Sequence, residues 1–114
     1  KLERGIDMVL SAMHFEQIIA DADLVITGEG RLDRQTMMGK APSGVLKMAT
    51  AHNIPTIAIG GEVVWCEELR TSGFTAIEAV TPAGTPHKEA MRPETAKENV
   101  RLTAVKIAKR FANR

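Results

Sequence analysis

At 114 residues and 12.4 kDa, with 44% hydrophobic and 25% charged side chains, the chain is long enough for one packed core and too short for two. Fifteen Lys and Arg against fourteen Asp and Glu leave a formal net charge of +1, which argues against general binding to nucleic acid or an anionic membrane. No apolar run approaches the roughly 20 residues that cross a bilayer, and the opening residues lack a signal-peptide apolar segment, so a cytoplasmic location is expected.

In chain order, Ile6, Val9, Leu10 and Met13, then Phe15, Ile18 and Ile19, recur at helical spacing and predict a first helix over residues 5–20, broken near His14. The numbering opens on Lys1 with helix already under way, so the chain is expected to be the tail of a longer protein. Residues 23–27, Asp-Leu-Val-Ile-Thr, suit a strand buried on both faces and ended by Gly28. After a glycine-rich loop, Pro42 fits a first helical turn, Val45, Leu46, Met48 and Ala49 supply an inward face, and Asn53 is a left-handed stop. Residues 55–59 predict a second strand closed by Gly60-Gly61, and Trp65, Cys66 and Leu69 a short helix ending near Gly73. Cys66, the only cysteine, allows no internal disulfide and reads as a buried or half-buried apolar filler. Residues 74–80 predict the third strand and 81–86 a loop. A last helix starts near Pro93, with Val100, Ala104, Ile107, Ala108 and Phe111 on one face and Lys106, Lys109, Arg110 and Arg114 towards its C-terminus.

The order α, β, α, β, α, β, α predicts a parallel sheet with helices on both faces, a three-layer α/β unit of flavodoxin or Rossmann-like type over residues 1–114. Three strands leave two edges, so further strands upstream or a partner subunit, a homo-oligomer included, are expected. Ligands of such sheets sit beyond the carboxyl ends of the strands, which here lead into residues 28–39, 60–64 and 81–86.

The densest chemistry is Thr27-Gly28-Glu29-Gly30-Arg31-Leu32-Asp33-Arg34-Gln35-Thr36-Met37-Met38-Gly39-Lys40. Two phosphate signatures fail there. The P-loop has Gly39-Lys40, but Arg34 stands at its first glycine and Ala41 at its Ser/Thr; the dinucleotide fingerprint has Gly28 and Gly30, but Asp33 at its third glycine. Without them, Gly28 and Gly30 let the backbone turn and approach a ligand, and their N–H groups suit an anion. Arg31 offers a bidentate grip on carboxylate or phosphate, and Lys40, ahead of a helix, adds charge. Glu29 and Asp33 are candidate magnesium ligands or general bases, and Gln35 and Thr36 can orient a hydroxyl. Gly39, Gly60 and Gly61 complete the candidate binding set. In a purely structural alternative the glycines only turn the chain, Arg31 pairs with Glu29 or Asp33, and Thr36 caps the loop. His14, His52 and His87 read as surface or helix-end residues, and the methionines as packing.

The string Ile26-Thr27-Gly28-Glu29-Gly30-Arg31-Leu32-Asp33, continued by Gln35-Thr36, Gly39-Lys40, Pro42 and Gly44-Val45, resembles the signature segment of the bacterial glycerate kinases, the glycerate 2-kinase family. The flanking Gly5-Ile6-Asp7-Met8-Val9 helix and the later strands resemble that family's C-terminal region. The resemblance implies an ATP- and magnesium-dependent phosphotransferase acting on D-glycerate to give 2-phosphoglycerate. It also implies a longer parent of two α/β domains, with a cleft between them. By this resemblance Arg31 and Lys40 handle glycerate carboxylate or phosphate, and Asp33, with Glu29 as its rival, takes magnesium or the hydroxyl proton. The fragment alone is expected to be inactive. The competing expectation is a non-catalytic module binding a small anion or a nucleotide.

Overall fold

A computed structural model describes residues 5–39 and 41–112. Lys40 and Arg114, both singled out in the sequence, lie outside the described residues. The elements are α1 (Gly5–Ala12), α2 (Phe15–Ile19), β1 (Val25–Leu32), a 3-10 turn (Arg34–Met37), α3 (Ala41–Ala51), β2 (Thr56–Val63), α4 (Glu67–Arg70), β3 (Ala76–Ala79), α5 (His87–Ala90) and α6 (Pro93–Ala112). The break near His14 and the stop at Asn53 are both left-handed residues, with φ of 55° and 58°.

The strands form one parallel sheet in the order β1-β2-β3. Two of them run further than their glycines suggest. β1 continues through Gly28, Glu29, Gly30 and Arg31, and β2 through Gly60 and Gly61, with Glu29 opposite Gly60 and Arg31 opposite Glu62. These glycines therefore do not turn the chain, and at Gly61 the missing side chain lets two backbones lie close. A Cβ on Gly61 would fall 2.8 Å from the Gly30 carbonyl oxygen, and one on Gly60 2.8 Å from Leu32 Cγ. Glycine inside a strand commonly marks such an approach rather than its end. β3 is shorter than its expected range, but Thr75 N–H donates to the Thr56 carbonyl (2.8 Å) and Val80 N–H to that of Gly60 (2.7 Å), prolonging the ladder at both ends.

Helices cover both faces. Right-handed crossovers in a 1-2-3 strand order put the two connecting helices, α3 and α4, on the same side. On that side Ala58, in register with Ile77, packs into a cluster with Leu32 and Leu69, where Cys66 sits half-buried as apolar filler. A second cluster joins Ile19 of α2, Val25 of β1, Ala49 of α3 and Ile54, ringed by Phe15, Ala22, Val45 and Met48. Gly44 lets α1 approach α3, since a Cβ there would lie 2.8 Å from Ile6 Cγ1.

Ile59 pairs with Glu78 on the opposite face. Glu78 accepts Lys106 Nζ (3.2 Å) and Arg110 Nη1 (3.1 Å), so two of the cations expected near the end of α6 tie that helix to β3. The apolar line of α6 is narrower than its periodicity suggests. Ile107 is buried, and so is Thr103, whose hydroxyl donates to the Asn99 carbonyl (2.9 Å); Ala104 and Ala108 are exposed, and Val100 is 46% exposed. Docking through Thr103 and Ile107 leaves Val100 beside a cavity. Val9, Met13 and Ile18, expected to face inward, are likewise exposed, while Leu10 and Ile19 are buried. Among the described residues no helix is long and apolar enough to cross a membrane.

Candidate functional site

The carboxyl ends of the strands open into a cavity of about 780 Å³. β1 contributes Gly28, Glu29 and Gly30 to its wall, and β2 contributes Ile59, Gly61, Glu62 and Val63. Ala79 and Val80 lead into a loop that adds Thr81, Pro82, Ala83 and Thr85; His87, Ala90, Met91, Ala96, Asn99 and Val100 close the far side from α5 and α6. All three strand ends expected to meet a ligand do border one space.

The cavity has two unlike sides. Gly28, Glu29, Gly30, Gly61 and Glu62 form the strand side. On the helix side Val80, Ala90, Met91, Ala96 and Val100 present carbon, interrupted by the Asn99 amide and the His87 ring. No lysine or arginine among the described residues lines it. The Glu29 side chain has no hydrogen-bond or ion-pair partner among the described residues.

Arg31, Asp33, Gln35, Thr36, Gly39 and Gly60 do not line the cavity. Gly60 is buried in the sheet, its carbonyl taken by Val80 N–H. Arg31 follows Gly30 along β1, exposed, with Nε 3.4 Å from Asp33 Oδ2. Oδ1 of Asp33 accepts Gln35 N–H (2.9 Å), while Asp33 N–H donates to Thr36 Oγ1 (3.0 Å). Asp33 and Thr36 thus cap the 3-10 turn reciprocally, in the manner of a capping box. This local pattern was legible as Asp33-x-x-Thr36, and the buried Thr36 supports the turn rather than facing a ligand in this conformation. Gln35 is exposed. Gly39 has φ 98°, a left-handed value that favours glycine ahead of α3.

Among the described residues no group of three or more His, Cys, Asp or Glu stands together as a metal cage. Magnesium needs no such cage, since it binds through one or two carboxylates and fills its shell with water and phosphate oxygens. The residues that sequence reasoning missed are those of α5 and α6. Helical periodicity marks Val100 as inward-facing, and only the packing of α6 shows that it borders a space instead of a core.

Residues 1–112 match the family model described as the glycerate kinase family. The glycerate kinase of Bacillus subtilis (strain 168) is 44% identical over 108 residues, 94% of this chain and 28% of that protein. The glycerate 2-kinase of Escherichia coli (strain K12) is 44% identical over 63 residues, 55% of this chain and 16% of that protein. Among solved structures, a Salmonella typhimurium LT2 protein assigned as glycerate kinase 2 superposes with a TM-score of 0.72 at 42% identity, covering 99% of this chain and 28% of that one. The chain therefore spans a little over a quarter of the first two full-length proteins it matches across nearly its whole length.

Proposed function

Because the chain belongs to the glycerate kinase family, we propose that it forms part of a cytoplasmic enzyme transferring the γ-phosphoryl group of ATP to a hydroxyl of D-glycerate, giving 2-phosphoglycerate. The observation that carries this reading is the cavity at the strand ends, walled by the same Gly28-Glu29-Gly30 backbone that leads into Arg31. Phosphoryl transfer asks a protein mainly to position its reactants and neutralise their charge. Arg31, and Lys40 with it, supply positive charge for the phosphate or the glycerate carboxylate.

Glu29 and Glu62 are the residues that hold magnesium in this reading, and the ion, when bound, offsets charge on the transferring group. Glu29 is preferred to Asp33 as metal ligand or base because it is among the residues lining the cavity and its side chain has no partner among the described residues. Asp33 would first have to release Arg31 and the Gln35 N–H. In its present place it holds the guanidinium of Arg31 at the end of β1. D-Glycerate and the remainder of the parent chain are the partners, so residues 1–114 alone carry no turnover.

The test grafts residues 1–112 in place of the matching segment of the Bacillus subtilis glycerate kinase and measures glycerate-dependent ADP formation with magnesium. The expected result is turnover by the graft and none by the isolated chain. An inactive graft, together with phosphate binding by the isolated chain that Arg31→Ala abolishes, would instead establish a non-catalytic anion-binding module.

A further inference from the structure

We propose that the α5–α6 side of the cavity is the seat of the purine base of the nucleotide, with Asn99 reading its edge, an assignment that rests on the kinase reading. The two sides of the cavity differ in what they tolerate. The strand side carries Glu29 and Glu62 and leads to Arg31, so charged groups and a metal ion belong there. The helix side offers Val80, Met91 and Val100, which suit the faces of a flat, neutral ring and leave the carboxylate and hydroxyls of glycerate unsatisfied.

Asn99 is the one amide on that side, and its side chain has no hydrogen-bond partner among the described residues; the Thr103 hydroxyl takes only its backbone carbonyl. A side-chain amide presents a donor and an acceptor together, the pair that matches the N6 and N7 edge of adenine. A volume of about 780 Å³ has room for base and ribose, with the phosphates running towards the strand side.

Adenosine, which carries no phosphate, is the probe. It is titrated calorimetrically into the full chain and into the Bacillus subtilis graft, each with and without Val100→Trp or Met91→Trp. Both positions are about half exposed or more, at 46% and 66%, so a larger ring fills the cavity without entering the core. Adenosine is expected to bind, with each tryptophan weakening it roughly tenfold or more; in the graft the KM for ATP rises by a similar factor and the KM for glycerate holds. The assignment is overturned if a graft that phosphorylates glycerate gives no adenosine binding, or if the tryptophans raise the KM for glycerate and leave that for ATP. Val100-dependent adenosine binding by a graft that makes no ADP would remove the kinase reading while the base site stands.

Discussion

Replacing Gly61 by alanine tests the reason β1 and β2 run past their glycines. The new Cβ would lie 2.8 Å from the Gly30 carbonyl oxygen, a backbone atom fixed in the neighbouring strand. That is roughly half an ångström inside the ~3.3 Å at which carbon and oxygen come to rest. Relief requires the strands to part where Glu29 opposes Gly60 and Arg31 opposes Glu62. Overpacking of this kind costs about 1–3 kcal/mol, offset by the ~0.4–1 kcal/mol that alanine gains over glycine through a less free unfolded chain. A net loss of about 1–2 kcal/mol is expected. Gly30→Ala is the internal control, because its Cβ meets nothing within 4 Å and neither glycine has a positive φ. It should be neutral or stabilising by up to ~1 kcal/mol. Urea denaturation followed by far-UV circular dichroism separates the two, and opposite signs are the expected result. A Gly61→Ala chain as stable as the parent would refute the close-approach argument, as would a Gly30→Ala chain that loses more than it.

Ile107→Ala removes the buried anchor of α6 and should cost about 2–4 kcal/mol, whereas Lys106→Ala, which removes an exposed lysine and leaves Glu78 its pair with Arg110, should cost under ~1 kcal/mol; paired denaturation curves give the ranking. In the graft, Glu29→Gln should lower kcat by about 100-fold or more, while Asp33→Asn, which only loosens Arg31, should act chiefly on KM; steady-state kinetics of both decide it, and the reverse pattern would return the role to Asp33. Hydrogen bonds from Arg101 (2.6 and 2.9 Å) hold the Glu98 carboxyl below its ordinary value of 4.5. A depressed carboxyl stabilises the fold above its ordinary value and loses that contribution as pH falls through the depressed one. Glu98→Gln should therefore be slightly less stable than the parent at pH 7, with the gap closing on acidification below about 4.5, read as urea midpoints across pH.

The sequence by itself determined the order of the three strands and of the helices between and after them, but not α5, because periodicity, Pro42 and Asn53 are local signals with local causes. It also determined the family, since the string from Ile26 to Val45 combines many residue types at fixed spacing, and it named the strand ends where the cavity opens. Tertiary structure decided whether a glycine ends a strand or lets two strands touch. Gly28, Gly30, Gly60 and Gly61 look like turns in one dimension, and only the pairing of β1 with β2 shows that all four lie within strands and that Gly28, Gly60 and Gly61 leave little or no room for a Cβ. The same holds for the charged loop. Asp33 reads equally well as a ligand or as the partner of Arg31, and Thr36 as a hydroxyl-orienting residue or as a cap, until their hydrogen bonds are seen. Asn99 and Val100 come to the cavity from the last helix, far along the chain from Glu29, and no local pattern encodes that meeting. It depends on α6 docking through Thr103, Ile107 and the Glu78 pairs, a packing choice made by the whole fold.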